Sequence, residues 1–454
     1  MAFMQDGRVI AGGTVRMPGP VNQHTGMVRV IPSGAIDPSF GPCYTQVASQ
    51  LKIEGEYIYY QNGGTGFRRN FLLDGTPDYT YGTSWPPMFS TSQVSSYHIF
   101  PDGTQWRMGD YIRKIYDEDG QQIGIQPGYG LVQAMPNGDY DPGFDHKYTP
   151  GTYLRNLSVE PDGRFLFSAS NAFTYEGTPV GALFKLWPDG QLDTTFHTSI
   201  TWSGGVSDEK YHYPDGRMLV FGRFMAPEYP NDTLAVMRLL PDGSTDTTWP
   251  SIPFLAYGYF RGLAAVWDYL EIEPGKLIVV GDFNAIGLQP LGAIVAIDTA
   301  GNVLWNYLPG TGAGVMEDMG TNNSYCLLHV IREGPDGFIY LCGSFSGYND
   351  GCGDHPEQRL LMRLFPLDVG VKENKKVGSP FVAPNPGNGL FQIRWPGYRE
   401  FDLEVRDGLG RIVHREHILR EGDNVELPHV KAGVYNLLVT APDGTRASAK
   451  LMKQ

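Results

Sequence analysis

The fold is decided by the stretch Met237-Arg-Leu-Leu-Pro-Asp-Gly-Ser-Thr-Asp-Thr-Thr-Trp249, because its sequence pattern recurs along the chain. It recurs as Phe184-Lys-Leu-Trp-Pro-Asp-Gly-Gln-Leu-Asp-Thr-Thr-Phe196 and as Val28-Arg-Val-Ile-Pro-Ser-Gly-Ala-Ile-Asp-Pro-Ser-Phe40. In a Pro-Asp-Gly turn the proline presets its own φ and the glycine accepts a positive φ, so the turn joins antiparallel strands at low strain. The recurrence indicates a repeat protein built from hairpins.

The stretch contains the second of two glycine turns in each repeat. Six copies of this second turn align on their glycines, an aspartate follows three residues later in five copies, and an aromatic residue follows six residues later in all six. We expect the aspartate to accept a hydrogen bond from a following Ser or Thr, and the aromatic ring to fill the gap between neighbouring sheets. The positions are Gly34, Asp37 and Phe40; Gly75, Asp78 and Tyr81; Gly138, Asp141 and Phe144; Gly190, Asp193 and Phe196; Gly243, Asp246 and Trp249; and Gly301, Leu304 and Tyr307.

The first turn of each repeat aligns on a separate glycine series with spacings of 48 to 62 residues. Short apolar runs such as Arg217-Met-Leu-Val-Phe221 follow these glycines and are typical of buried strands. A small residue stands six positions after the glycine in most copies, whereas the second copy has Gln61. The series is Gly7, Gly55, Gly103, Gly163, Gly216, Gly275 and Gly337.

Two hairpins per repeat predict a four-stranded antiparallel sheet, and seven such sheets must stack because none can bury both of its faces alone. The chain is therefore predicted to be all-β, with a seven-bladed β-propeller over residues 1–368. An open β-solenoid is the alternative, but solenoid coils are much shorter than this repeat.

The three quoted stretches resemble delta-60 repeats, a family that forms propeller-like modules in exported bacterial proteins. The resemblance covers roughly residues 5–368 and is clearest in copies one, four and five. The seventh copy ends at Leu361-Met-Arg-Leu-Phe365 without the aspartate or the aromatic residue, so its outer strand is not predicted.

Composition changes after the last repeat. Residues 369–380 are polar and charged, and we interpret them as an exposed linker. Residues 1–370 contain 22 Lys and Arg against 39 Asp and Glu, a net charge of −17, whereas residues 371–454 contain 13 against 10, a net charge of +3. The negative charge of the repeats disfavours a nucleic-acid partner, and no apolar run is long enough for a transmembrane segment.

Residues 381–454 alternate apolar and polar positions in short runs, which predicts a small Ig-like β-sandwich. Four motifs in order resemble the C-terminal sorting domain of Bacteroidetes cargo exported by the type IX secretion system. This resemblance implies export by that machinery, with cleavage in the linker and a secreted or surface-displayed product. The motif residues are Pro384, Asn385, Pro386, Leu409, Gly410, Arg411, Gly433, Val434, Tyr435 and Lys453.

The N-terminal residues Met1-Ala-Phe-Met-Gln5 have neither the basic start nor the apolar run of a signal peptide. We expect that the N-terminus is truncated or its start misassigned. The alternative of a cytoplasmic protein would leave the sorting tail without a purpose.

Candidate chemistry is sparse in this sequence, and no catalytic residue or cofactor is predicted. A disulfide between Cys342 and Cys352 would stiffen the loop between them, with free buried thiols as the alternative. Acidic clusters on turns offer oxygen ligands of the kind that calcium takes, with ordinary solvated turns as the alternative. These clusters are Asp117, Glu118 and Asp119; Asp139 and Asp141; and Asp350 and Asp354.

Three functions remain open from the sequence. The first is a non-catalytic propeller that binds a glycan or protein through irregular, aromatic-rich segments at 81–97, 254–269 and 308–325. The second is a glycan hydrolase or lyase with carboxylates that converge in the central funnel. The third is an architectural component of the cell envelope. Of these, we predict the binding protein.

Overall fold

The computed structural model describes residues 1–16, 24–41, 43, 47–62, 66–82, 89–149, 152–207, 209–257, 263–308, 310–318, 323–364, 380–395, 398, 400–407, 411–418, 423–442 and 446–454. Every regular element among them is a β-strand, so the predicted all-β class is confirmed. The chain divides into two compact units, Met1–Pro366 and Leu367–Gln454. No helix in the described ranges is long and apolar enough to cross a membrane.

Seven main antiparallel sheets follow one another along the described part of the first unit, accompanied by three small ones, and we number the main sheets one to seven. Sheet one contains β1 (Ala2–Phe3), β2 (Val9–Arg16) and β3 (His24–Val30). Sheet two contains β4 (Val47–Glu54), β5 (Tyr57–Asn62) and β6 (Gly66–Phe71). Sheet three contains β7 (Phe89–Ile99), β8 (Gln105–Tyr116), β9 (Gln122–Ala134) and β10 (Lys147–Thr149).

Sheets four and five form the middle of this unit. Sheet four contains β11 (Leu154–Val159), β12 (Phe165–Ala169) and β15 (Leu183–Leu186), with a side hairpin of β13 (Phe173–Tyr175) and β14 (Thr178–Val180). Sheet five contains β16 (Trp202–Val206), β17 (Tyr211–His212), β18 (Met218–Met225) and β19 (Leu234–Leu239). Both β16 and β17 pair with the same edge of β18, so together they form one innermost strand position.

Sheets six and seven each carry small additional elements. Sheet six contains β21 (Ala265–Glu273), β22 (Lys276–Asp282) and β25 (Ile294–Asp298), beside a small sheet of β20 (Phe254–Leu255), β23 (Ala285–Ile286) and β24 (Gln289–Pro290). Sheet seven contains β26 (Gly312–Ala313), β29 (Leu327–Glu333), β30 (Ile339–Asn349) and β31 (Asp354–Leu364), beside a hairpin of β27 (Met316–Asp318) and β28 (Asn323–Tyr325).

The aligned glycines lie at the corners between these strands. All thirteen have φ between 57° and 94°, where an L side chain would be strained. Local turn chemistry therefore explains why glycine returns at both positions of the repeat.

The prediction of a full fourth strand in each repeat is wrong. After the second corner of copies one to six, the returning chain first forms one bridge, such as Leu186 to Leu192 or Leu239 to Thr245. Among the described residues it then pairs with the same strand again in copy one, through the bridge of Met27 to Cys43, and in copy three, as β10. The repeat aspartate causes this short return. In sheet four, Asp193 N donates to Lys185 O at 2.9 Å and Phe196 N donates to Asp193 O at 3.4 Å, so the chain leaves the sheet at once.

The repeat aromatics lie between successive sheets. Phe40, Tyr81, Phe196 and Trp249 are buried, whereas Phe144 and Tyr307 are half-buried. Each of the first five lies beside the second-corner glycine of the next sheet, either through its own ring or, for Phe196, through the following residue His197. These contacts give consecutive repeats a fixed register.

The second unit consists of two antiparallel sheets around a shared apolar core, which includes the buried Phe391, Trp395, Leu403, Leu437 and Leu451. One sheet contains β32 (Phe381–Ala383), β33 (Leu390–Arg394) and β36 (Asn424–Glu426). The other contains β34 (Phe401–Arg406), β35 (Ile412–Ile418), β37 (Gly433–Thr440) and β38 (Arg446–Lys453). Alternation along β34 and β37 places one side of each strand in this core.

Candidate ligand-binding cavity

The innermost strands of the first unit share one local irregularity. We call the small residue six positions after the first corner glycine the small position of the repeat; it is Gly109, Ala169, Gly281 and Gly343 in sheets three, four, six and seven. In these four sheets a β-bulge follows the inner-strand residue that pairs with the small position. The bulge places one residue of each inner strand outside the ladder register: Ser95, Arg155, Trp267 and His329. Bulges re-aim side chains, and two of these four residues, Trp267 and His329, line the cavity described next.

The small position is required by this inner strand. A Cβ added to Gly281 would lie 2.0 Å from Ala265 O, and one added to Gly343 would lie 2.1 Å from Leu327 O. Any side chain there would collide with the backbone of the innermost strand. The glycine six residues after the corner thus permits the close approach of the two strands.

The innermost strands converge on one cavity of about 1050 Å³. Its lining includes Leu51, Asn156, Val206, Trp267 and His329 from the inner strands of five sheets, together with part of β2. Strands that surround a central space are the arrangement of a propeller hub. Of the predicted contact segments, 254–269 contributes Trp267 and 308–325 contributes Met316, while part of each segment lies outside the described residues.

Trp267 is the largest aromatic residue of the lining. Its ring lies 5.9 Å from the guanidinium carbon of Arg223, and a Cβ on Gly205 would approach it to 2.9 Å. The indole Nε1 is buried and has no hydrogen-bond partner in the described part of the chain. The ring, rather than this buried nitrogen, is what the side chain offers to the cavity, as a stacking face.

His329 is accessible to solvent within the cavity but is surrounded by protein, and this desolvation lowers the pKa of its imidazole. The ring is therefore neutral at pH 7, with one donor and one acceptor nitrogen for a polar ligand.

Asp268, beside Trp267, fastens sheet six to sheet seven. One carboxylate oxygen accepts from Ile331 N at 2.9 Å and from the Arg332 guanidinium, and the other accepts from Tyr269 N at 3.0 Å. Burial raises the pKa of Asp268 to about 6, while Arg332 opposes the shift. Because both oxygens already accept hydrogen bonds from the protein, we assign Asp268 a structural role.

The repeat aspartates form a second set of polar contacts, of which the sequence predicts only those with Ser and Thr. In four copies one carboxylate oxygen accepts from a Ser or Thr two residues later, and the other accepts from an arginine: Asp37 with Ser39 and Arg29, Asp78 with Thr80 and Arg69, Asp193 with Thr195 and Arg164, and Asp246 with Thr248 and Arg238. Asp141 instead accepts from Gly143 N and Gln133 Nε2. None of these five aspartates lines the cavity.

The sorting motifs lie in the second unit and make local contacts there. Asn385 donates to Lys450 O at 2.7 Å and accepts from Met452 N at 2.9 Å, so it connects the Pro384 to Pro386 segment to β38. Lys453 Nζ donates to Leu427 O and Val430 O, each at 2.6 Å.

The remaining motif residues have separate surroundings. Tyr435 donates to Lys431 O at 2.7 Å, Arg411 bonds Asp407, Gly433 pairs with Lys453, and Val434 is exposed. Leu409 and Gly410 lie outside the described residues.

Of the two alternatives left open for Cys342 and Cys352, the disulfide is not formed, and all four cysteines are thiols. Cys342 lies in the first half of β30, opposite Leu361, whereas Cys352 lies in the turn at the far end of the β30–β31 hairpin. Within the described ranges no three His, Cys, Asp or Glu side chains group as a metal site would require.

Comparison with known families finds matches within both units. Residues 382–454 match the secretion system C-terminal sorting domain. This tail is a type IX secretion sorting domain. Residues 161–196 and 214–248 match a β-propeller domain of unknown function, DUF5122. The protein is therefore an exported β-propeller protein, directed to the cell surface or the extracellular space by its sorting domain.

Solved structures give more distant similarities. A protein of unknown function from Bacteroides caccae is 13% identical, with 66% of this chain and 92% of that chain covered and a TM-score of 0.34. PorZ, a surface component of the type IX secretion system of Porphyromonas gingivalis, is 11% identical, with 94% and 68% covered and a TM-score of 0.28. BamB from Moraxella catarrhalis is 9% identical, with 75% and 76% covered and a TM-score of 0.30. No curated protein matches the chain.

Proposed function

We propose that this protein is a type IX secretion cargo of a Bacteroidetes bacterium that binds an extracellular glycan or protein without catalysis. Its seven sheets would be the blades of one propeller of delta-60 repeats, and its tail an Ig-like sandwich. The cavity on which the innermost strands converge supports the binding role, because it combines enclosure, an aromatic face and a few polar groups.

The chemistry of the lining favours binding over hydrolysis. Glycoside hydrolysis uses a pair of carboxyl groups on the two sides of the scissile bond. The described lining of the cavity contains no aspartate or glutamate, whereas Trp267, Asn156 and His329 provide stacking and hydrogen bonding. These groups suit recognition of a sugar or a peptide surface.

The proposal is tested with the full chain on a glycan array and on a panel of extracellular proteins, followed by titration of each hit. We expect Trp267→Ala to weaken binding at least tenfold, because it removes the stacking face of the cavity. Trp187→Ala is the matched control, since Trp187 is half-exposed and lies outside the cavity lining. This variant should bind the ligand with the same affinity as the unmodified chain. Two results would contradict the proposal: turnover of a glycosidase or lyase substrate, or an affinity that is the same in Trp267→Ala as in the unmodified chain.

A further inference from the structure

A second cavity, of about 530 Å³, lies between sheets six and seven. On the side of sheet six it is lined by β24, by β25 and by the chain that follows the corner Gly301, and on the side of sheet seven by β26 and by Tyr348 of β30. Its described lining shares no residue with the cavity of the innermost strands. We call this space the six–seven cavity, and its size is ordinary for a small-molecule site.

Copy six departs from the repeat pattern where it lines this cavity. In sheet one, Arg29 stands five residues before the corner glycine, bonds the repeat aspartate Asp37 and donates to Leu73 O of the next sheet at 2.6 Å. Copy six has Ala296 and Leu304 at the positions of the arginine and the aspartate, and both line the cavity. Neither side chain can form the polar bridge to the next sheet, so the space between sheets six and seven stays open.

Trp305 follows Leu304, at a position where the other copies have Pro, Thr or Tyr. The repeat aromatic of this copy is Tyr307, so Trp305 is additional to the repeat pattern. Trp305 is 48% exposed and lines the cavity. Within the described part of the chain its indole takes part in no hydrogen bond and no aromatic contact. An indole in this position presents a stacking face and an N–H donor to a ligand.

The other polar side chains of the lining are also unused by the protein. Among the described residues none of their side-chain polar atoms takes part in a hydrogen bond. These side chains are Gln289, Asn306, Thr311 and Tyr348. Tyr348 is only 7% exposed, and a hydroxyl group on so buried a residue is normally hydrogen-bonded. Burial, and secondarily the charge of Asp350, raises the pKa of Tyr348 to about 12, so at neutral pH its hydroxyl can both donate and accept.

The described lining contains no Lys, Arg, His, Asp or Glu. An anion would find no cationic partner there and a cation no carboxylate, and an unpaired charge is costly to bury. The ligand that suits the lining is therefore uncharged, with an apolar face for Trp305 and several hydroxyl groups for the amides and hydroxyls around it. The pyranose ring of a neutral sugar has both, since C–H groups cover its face and hydroxyl groups surround its rim.

We infer that the six–seven cavity binds an uncharged saccharide, with one sugar ring stacked on Trp305 and its hydroxyl groups bonded by Asn306 and Tyr348. The side chains of Gln289 and Thr311 complete the polar rim. This site is separate from the cavity that carries the proposed function, so the inference goes beyond that function.

The test uses the full chain and the methyl glycosides of glucose, galactose, mannose and N-acetylglucosamine. Saturation-transfer NMR identifies the glycosides that bind, and titration gives their affinities. We expect saturable binding of at least one of them. Each glycoside that binds is then compared with its uronic acid analogue, in which a carboxylate replaces the primary alcohol. The analogue should bind at least tenfold more weakly, because its charge would enter a lining without a cation.

Two variants test the protein side of the contact. Trp305→Ala removes the stacking face and should lower the affinity at least tenfold. Tyr348→Phe keeps the ring and removes only the hydroxyl, so it should fold normally and lower the affinity at least about threefold. Trp187→Ala is the matched control, since Trp187 is 45% exposed and lies outside the lining. This control should bind the glycoside as the unmodified chain does.

Three results would overturn this inference: no binding of any of the glycosides, equal binding of the uronic acid analogue, or an unchanged affinity in either variant. Trp267→Ala separates the inference from the proposed function, because a glycoside held by Trp305 should bind this variant normally. If the glycosides fail but another ligand is lost in Trp267→Ala, the inference is wrong and the proposed function stands. If a glycoside depends on Trp305 and no ligand depends on Trp267, the inference stands and the proposed function falls.

Discussion

The ring of Phe40 lies 2.7 Å from the point that a Cβ on Gly75 would occupy. The two residues belong to consecutive repeats, and Gly41 N donates to Asp74 O at 2.6 Å beside them. The same contact returns between Tyr81 and Gly138 and between Trp249 and Gly301. The aromatic residue of one repeat therefore packs against the glycine of the next, and we call this contact the aromatic joint. It explains why both residues recur at fixed spacing.

Phe196→Ala should destabilise the first unit by about 3–5 kcal/mol, because it empties a buried joint between sheets four and five. Phe144→Ala is the matched control at the equivalent position of a neighbouring repeat. Its ring is half-buried, so the loss should be only about 1–2 kcal/mol. Urea unfolding followed by tryptophan fluorescence measures both, and equal losses would show that the aromatic joint does not depend on burial.

Gly222→Ala should destabilise the chain more than Gly13→Ala, by about 1–3 kcal/mol. Both glycines have φ of 154°, so the backbone strain of an alanine is shared and cancels in the comparison. The remaining difference is the collision with Gly205 O, which is present at Gly222 and absent at Gly13. Thermal unfolding of the two variants gives the difference directly. Equal melting temperatures would show that the inner strand of sheet five shifts to accommodate the methyl group without a loss of stability.

Asp246→Ala should destabilise by about 1–3 kcal/mol, because it removes hydrogen bonds from Thr248 and Arg238 in a buried corner. Burial alone would raise the pKa of Asp246, but these hydrogen bonds outweigh it and lower the pKa. Asp242→Ala is the control in the same turn, since Asp242 is exposed, and should cost roughly 0.5 kcal/mol. A larger loss at Asp242 than at Asp246 would reverse our ranking of the two carboxylates.

As the pH falls from 6.5 to about 4, the free energy of unfolding should decrease, and protonation of His98 should account for part of this decrease. Burial, and secondarily the charge of Lys52, lowers the pKa of His98 to about 4, below its ordinary value of 6.5. The unfolded state binds the proton first, so the contribution of His98 is complete above pH 6.5 and declines as the pH falls. After allowance for solvent, the loss is about 1–2 kcal/mol.

His98→Phe should flatten this decline while it keeps a ring against Phe100 and Phe165, whose centroids lie 4.8 and 5.5 Å from that of His98. His355→Phe, at an exposed position, serves as the control. Urea unfolding at pH 4.5 and pH 7.5 gives the pH dependence of each variant. An unchanged pH dependence in His98→Phe would remove His98 as its source.

The corners of the fold were predictable because turn chemistry acts within a few residues and is repeated. Gly190 forms the turn, Asp193 accepts the capping hydrogen bonds, and Phe196 fills the contact with the next sheet. These three roles fix the spacing of the three residues. The fourth strand was not predictable from the same pattern, because the capping hydrogen bonds of the aspartate compete with strand pairing. Only the structure shows that the cap interrupts the pairing after one bridge, and that a fourth strand then follows in sheet three, as β10.

The cavity was harder to predict, because its lining depends on where the inner strands bulge against their neighbours. Trp267 and His329 belong to different repeats and share no local motif. A signal does exist: both stand eight residues before the corner glycine of their repeat, as do Ser95 and Arg155. The residue at this position differs in all four copies, whereas the residue before it is always Val or Leu, and two of the four, Trp267 and His329, line the cavity.

The arginine partners of the repeat aspartates were missed for a related reason. Arg29 and Arg238 each stand eight residues before their aspartate, but Arg164 reaches Asp193 from the neighbouring strand of sheet four. The ion pair is therefore fixed by the sheet and not by one sequence spacing.

Asn385→Ala should reduce export of the full chain in a host with a working type IX system, because Asn385 holds β38 through Lys450 O and Met452 N. Loss of both bonds would loosen the C-terminal strand and the position of Lys453 beside Leu427 and Val430. Asn388→Ala, at an exposed site in the same turn, is the matched control and should be exported normally. The ratio of extracellular and surface protein to periplasmic protein, measured by immunoblot, distinguishes them. If Asn385→Ala is exported as well as Asn388→Ala, the attachment of β38 is not what the secretion machinery requires.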